Sequence, residues 1–173
     1  DSMEQYTTFD IVKKMKIPRE RLQEWLRRGL VKPSVRAKGV GTKNIFTRED
    51  LYRIVLFSQL IDHHQLERET ASLMIKGLDD AKPAPGRKEA FPEHNWDWNW
   101  STAEFILWVE ETPSLPGEVT RYTFQAMREH AEEGARETPL SLALRQIAFR
   151  KDWKNFTVIN FKEIREQVDR ALE

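Results

Sequence analysis

The sequence predicts a mainly α-helical protein in two parts, and three observations carry that reading. Apolar residues recur at helical spacing through most of the first 78 residues, with threonine caps marking helix starts. The stretch from Asp79 to Lys88 is rich in Pro, Gly and charge and has no apolar pattern, so residues 79–92 read as a linker. The charge divides at the same place. Residues 1–78 carry 15 Lys and Arg against 10 Asp and Glu, a balance of +5, whereas residues 79–173 carry 13 against 18, a balance of −5. The expected organisation is an N-terminal domain over residues 5–78, basic enough to meet phosphate, and an acidic C-terminal domain over residues 93–173.

Within the first part, Tyr6-Thr7-Thr8-Phe9-Asp10 reads as a helix entry, because Thr7 and Asp10 have capping-box spacing. The helix runs to about Met15, with Phe9, Val12 and Met15 expected inward and Lys13, Lys14 and Lys16 in solvent. Ile17-Pro18 turns the chain into a second helix. There Leu22, Trp25 and Leu26 recur at helical spacing, Arg19, Arg21, Arg27 and Arg28 project between them, and Gly29 stops the run. Two helices joined by so few residues have the outline of a helix-turn-helix.

The basic, glycine-punctuated segment SVRAKGVGTKN then leads to Ile45-Phe46. It reads as a small β-hairpin, or wing, with Val31, Ile45 and Phe46 as apolar anchors and Gly39 and Gly41 at the tip. Thr47 with Asp50 caps a third helix, whose Leu51, Ile54, Val55 and Leu60 form a buried stripe to about Ile61. A fourth helix is expected from roughly Leu66 to Leu78, burying Leu66, Ala71, Leu73, Met74 and Leu78.

The order Tyr6-Thr7, Ile17 through Leu22 to Arg27, Gly29-Leu30, Lys32-Pro33, Arg36, Phe46-Thr47 and Asp50-Leu51 resembles the N-terminal winged helix-turn-helix of MerR-family transcription regulators. The resemblance covers about residues 5–78. It implies a DNA-binding regulator that acts as a homodimer, the second helix entering the major groove while wings grip flanking phosphates. On that expectation Arg19, Arg21 and Gln23 approach base edges, and Thr8, Arg36, Lys38 and Lys43 hold the backbone. The family commonly has an arginine and adjacent aromatic residues within the second helix, where this chain has Glu20, Gln23, Glu24 and Trp25. The usual Gly-Tyr-Arg of the wing is replaced by Gly41-Thr42-Lys43.

The C-terminal part is expected to be mostly helical. Asn95 to Trp100 alternates tryptophan with polar residues, as an extended segment does. Ser101 with Glu104 marks a capping-box start for a helix through Phe105, Trp108 and Val109, and a further helix spans Thr120 to Ala135. Thr138-Pro139 opens a helix through Leu140, Leu144 and Ile147, although Leu140 to Leu144 also alternates. Phe156 to Ile159 favours a short strand whose partner is not identifiable. The last helix has the stripe Phe161, Ile164, Val168 and Leu172, which packs within the domain or against a second protomer. Trp96, Trp98, Trp100 and Trp108 read either as core or as the lining of a pocket for a flat or cationic small-molecule effector.

Several function classes find no support. Cysteine is absent, which excludes disulfides and thiolate metal sites. No apolar run approaches the ~20 residues of a membrane span. Asp1-Ser2 ahead of Met3 reads as an added remnant, no secretion signal opens the chain, and a soluble, cytoplasmic protein is expected. Histidines occur as His63-His64, His94 and His130; neighbours on a helix diverge by about 100 degrees, so no metal site is expected. A phosphate-binding glycine loop, a HExxH helix and a nucleophile elbow are all missing, so neither enzymatic activity nor a cofactor is expected. The competing reading is a non-enzymatic protein-interaction or architectural module with no sequence-specific DNA binding.

Overall fold

In a computed structural model the described residues are 4–80, 100–111, 115–117, 121–127, 139–149 and 153–173. Most of them are helical, and the chain forms two compact units. Asp1–Lys76 together with Glu163–Glu173 make the first, and Gly77–Lys162 the second.

The first unit begins with α1, Thr8–Met15, which opens on the capping box read from the sequence. The Asp10 carboxylate accepts from the Thr7 amide at 2.8 Å, and Thr7 Oγ1 accepts from the Asp10 amide. Lys16 closes α1 in the left-handed region at φ 55°, so the chain reverses at once through Ile17-Pro18 into α2, Arg19–Arg27. Gly29, at φ 70°, ends α2: its amide donates to Leu26 O and the Leu30 amide to Trp25 O, which satisfies carbonyls of the last turn. Thr47 and Asp50 cap α3, Arg48–Asp62, and α4 spans Arg68–Asp80.

Ile11, Leu22, Trp25, Phe46, Leu51, Ile54, Phe57 and Leu60 are fully enclosed and form the core of this unit. Trp25 and Phe57 meet edge to face, 4.9 Å between centroids at 80°. Two expected core positions are corrected, since Phe9 is 70% exposed and Leu73 67%. Phe9 lies about 200 degrees round α1 from Ile11, so the core takes only one of them, and it takes Ile11. In α4 the inward stripe is Ala71, Met74 and Ile75, and Leu73 falls outside it.

The final helix, α6, spans Phe161–Leu172. Its part from Glu163 belongs to the first unit, with Ile164 and Val168 buried. Asp169 accepts hydrogen bonds from the Tyr52 hydroxyl at 2.6 Å and from Arg48 at 2.9 Å. Burial and the Asp169 carboxylate push the Tyr52 phenol well above its ordinary range, so it remains a proton donor.

In the second unit two of the helices expected in the C-terminal part are corrected to strands. The unit's described residues are organised round a three-stranded antiparallel sheet in the order β2-β1-β3, with β1 Phe105–Glu111, β2 Arg121–Met127 and β3 Trp153–Asn160. The helices expected through Phe105 and from Thr120 are therefore strands where they are described. Trp108 stands opposite Phe124 on one side and Thr157 on the other. β1 is central, and Ile106 to Val109 are buried in succession. A strand covered on both faces loses its alternation, and the spacing of Phe105, Trp108 and Val109 then imitates a helix.

The helix expected after Thr138 is present as α5, Pro139–Phe149, and β1 is the partner that the sequence left unidentified for β3. Leu107, Val109 and Ile147 form a cluster with Phe105, Leu144 and Trp153. Trp100 packs edge-on to Phe161, 5.4 Å between centroids, and its indole donates to Asp79 at 2.6 Å.

Candidate nucleic-acid interface

A helix advances about 100 degrees per residue, and on that projection α2 divides into three arcs. Trp25 and Leu22 are buried and Leu26 is half-buried, which defines the inner face. The next arc carries Arg21, Glu24 and Arg28, and every one of them is engaged. Arg21 donates to both oxygens of Asp62 at the end of α3, at 3.0 and 2.5 Å, while its guanidinium lies 5.0 Å over the Trp25 ring. Glu24 faces Arg28 at 3.5 Å and Arg68 at 3.6 Å, and Arg28 also binds Glu69. The hydrogen bond from Arg21 holds the Asp62 carboxyl below its ordinary range, with desolvation opposing it.

The third arc carries Arg19, Gln23, Arg27 and Glu20, all exposed. Among the described residues none of these four side chains makes a hydrogen bond or ion pair. The difference between the arcs follows from what surrounds them. Among the described residues α3 and α4 present Asp62, Glu69 and Arg68 to one flank of α2 and no ionic partner to the other.

Beside the open arc lies the loop between Val35 and Ile45, fixed at its base by a buried carboxylate. Asp50 Oδ2 accepts from the Ser34 amide at 3.1 Å, from the Ser34 hydroxyl, and from the Thr47 amide at 2.9 Å. One side chain thereby caps α3 and anchors the chain leaving α2. Val35 and Ile45 exchange backbone hydrogen bonds at 3.0 and 2.9 Å, and Tyr6 and Phe46 do the same at 2.9 and 2.8 Å. Inside the loop Thr42 Oγ1 accepts from the amides of Lys38 and Gly39 and donates to Gly39 O at 2.7 Å. Asn44 Oδ1 accepts from the Ala37 amide at 2.8 Å. Gly41, at φ 83°, makes the turn that a side chain would strain. Arg36, Lys38 and Lys43 project from this bonded frame, exposed and without ion pairs among the described residues.

A concavity of about 420 Å³ opens between α1, α2 and the loop, bounded by Thr8, Phe9, Arg19, Gln23, Thr42 and Lys43 among others. A second, of about 370 Å³, lies along Arg27, Lys32 and Arg36. Of the expected DNA-contacting residues, Thr8, Arg19, Gln23 and Lys43 therefore share one concavity and Arg36 lines the other. Arg21 is turned to Asp62, and Lys38 borders neither. Among the described residues neither concavity is lined by a carboxylate. Guanidinium, ammonium, amide and hydroxyl groups remain, a donor-rich set that suits phosphate oxygens and the acceptors of base edges.

Sequence reasoning did not foresee the side chains that support this surface. Asp62 and Glu69 are ordinary helix acids until α3 and α4 are set against α2. Thr42 and Asn44 stand in the sequence only as part of the basic wing segment, though side-chain acceptors in a glycine-rich turn are a usable signal. Of the four tryptophans offered for an effector, Trp96 and Trp98 lie outside the described residues. Trp100 and Trp108 are buried, 3% and 8% exposed. Among the described residues no group of three His, Asp or Glu is placed to hold a metal ion, and no helix is long and apolar enough to cross a membrane.

Two helices joined by a three-residue turn, the second showing solvent an arc of polar and charged side chains with no ion pair among the described residues, have the form of a helix-turn-helix. Residues 6–78 match the family described as MerR HTH family regulatory protein, and the match supports a MerR-family helix-turn-helix domain at the N-terminus. The match ends within α4 and takes in none of the sheet-bearing unit's strands. No curated protein matches the chain.

Proposed function

We propose that the protein is a DNA-binding transcription regulator that sets the open arc of α2 into the major groove and uses the loop at 35–45 as a wing on the flanking phosphates. One observation carries this: among the described residues Arg21 and Arg28 of α2 are paired with carboxylates of α3 and α4, whereas Arg19 and Arg27 of its open arc and Arg36, Lys38 and Lys43 of the loop make no ion pair. Unpaired Arg and Lys neutralise phosphates and release counterions, which supplies most non-specific affinity.

Arg19 and Gln23 meet base edges, and Thr8, Arg36, Lys38 and Lys43 hold the backbone. Arg21 serves by seating α2 against α3. The protein acts as a homodimer without enzymatic activity, residues 79–92 linking the DNA-binding domain to a C-terminal part that supplies dimerisation, effector sensing, or both. Titration of a labelled mixed-sequence duplex at low salt tests the reading. Measurable binding that weakens linearly in log–log salt supports it, and absence of binding at the lowest salt refutes it. A dimer mass together with a palindromic selected site tests the assembly.

A further inference from the structure

We propose that Glu20 reads a cytosine in the bound duplex by accepting a hydrogen bond from its N4 amino group, which makes it a specificity-determining residue; this rests on the DNA-binding reading above. At about 100 degrees per residue, counted round α2 from Arg19, Gln23 falls at about 40 degrees, Arg27 at about 80 and Glu20 at about 100, so all four share the open arc. The two acids of α2 have different fates. Glu24 is neutralised by Arg28 and Arg68, whereas Glu20 is exposed with no partner among the described residues. A free carboxylate on a surface that meets phosphate weakens binding to every sequence alike, unless it gains something from a base.

What it gains is set by its chemistry, since an ionised carboxylate accepts and cannot donate. Guanine shows the major groove only acceptors at N7 and O6, and adenine sets an N7 acceptor beside its amino group. Cytosine shows the N4 amino donor. Glu20 therefore favours cytosine and repels guanine at the same position.

The competing role is structural: Pro18 gives α2 no side-chain cap, and an acid in the first turn favours the helix dipole. Selection of bound duplexes from a random pool, run in parallel on the wild type, Glu20→Ala and Glu20→Gln, separates the two, with the thermal midpoint of each variant measured alongside. The expected result is one fixed cytosine per half-site for the wild type. Glu20→Ala should lose that preference by roughly ten-fold, while its binding to mixed-sequence DNA stays the same or tightens. Identical preferences in wild type and Glu20→Ala overturn the proposal, as does a lowered thermal midpoint with an unchanged selected site. A wild type that binds no duplex at the lowest salt refutes the DNA reading itself, a result distinct from binding without a cytosine preference.

Discussion

The two flanks of α2 carry similar side chains and meet opposite surroundings. On the flank toward α3 and α4, Arg21, Glu24 and Arg28 are held by Asp62, Arg68 and Glu69. On the other, Arg19, Gln23 and Arg27 face solvent. Composition alone does not distinguish Arg19 from Arg21. The distinction arises from a two-residue offset, about 200 degrees of rotation, that turns one guanidinium to a carboxylate and leaves the other with no partner among the described residues. A cationic helix is therefore not uniformly a binding surface, and only the arc that the fold leaves unneutralised has charge to offer a ligand.

The strongest way to break this division is to remove what fixes the rotation of α2. Trp25 is fully buried against Phe57, so Trp25→Ala should lower stability by about 3–5 kcal/mol in denaturant unfolding. A loss under about 1 kcal/mol would mean that α2 is not seated through its inner face. Next comes Asp50. Asp50→Ala removes the carboxylate half of the α3 capping box and the Ser34 anchor together and should cost about 2 kcal/mol. It should also raise amide exchange across the loop at 35–45, and exchange confined to α3 would detach the loop from this support.

The smallest effect belongs to the engaged flank itself. Arg21 and Asp62 are both partly exposed, so a double-mutant cycle should give a coupling below about 1 kcal/mol. Its pH dependence has a definite sign. Arg21 lowers the folded-state pKa of Asp62, so the pair's contribution is complete above the unfolded value and is lost as pH falls through the folded one. Asp62→Asn should flatten that part of the acid limb of stability below about pH 4, and an acid limb unchanged by the substitution would contradict the pairing.

Much of the first unit was legible in the sequence because its signals are local. Thr7 with Asp10 and Thr47 with Asp50 mark helix starts within four residues, and Gly29 marks an end. What lay beyond reach was long-range. Arg21 meets Asp62 across 41 positions, and Asp169 meets Tyr52 across 117. The sheet was hidden for a related reason: a central strand such as Ile106 to Val109 is apolar on both faces, and its pairing with β3 depends on residues some fifty positions away. Only at β3 did the β-branched and aromatic run declare itself.

The most direct measurement is the salt dependence of duplex affinity for two double variants, one on each flank. Arg19→Ala with Lys43→Ala should reduce affinity and lower the log–log slope by about 1 for each phosphate that is no longer neutralised, leaving the thermal midpoint nearly unchanged. Arg21→Ala with Arg28→Ala should lower the midpoint and leave the slope close to that of the wild type. Equal slopes for the wild type and the open-flank variant, or a larger slope change from the engaged flank, would contradict the account.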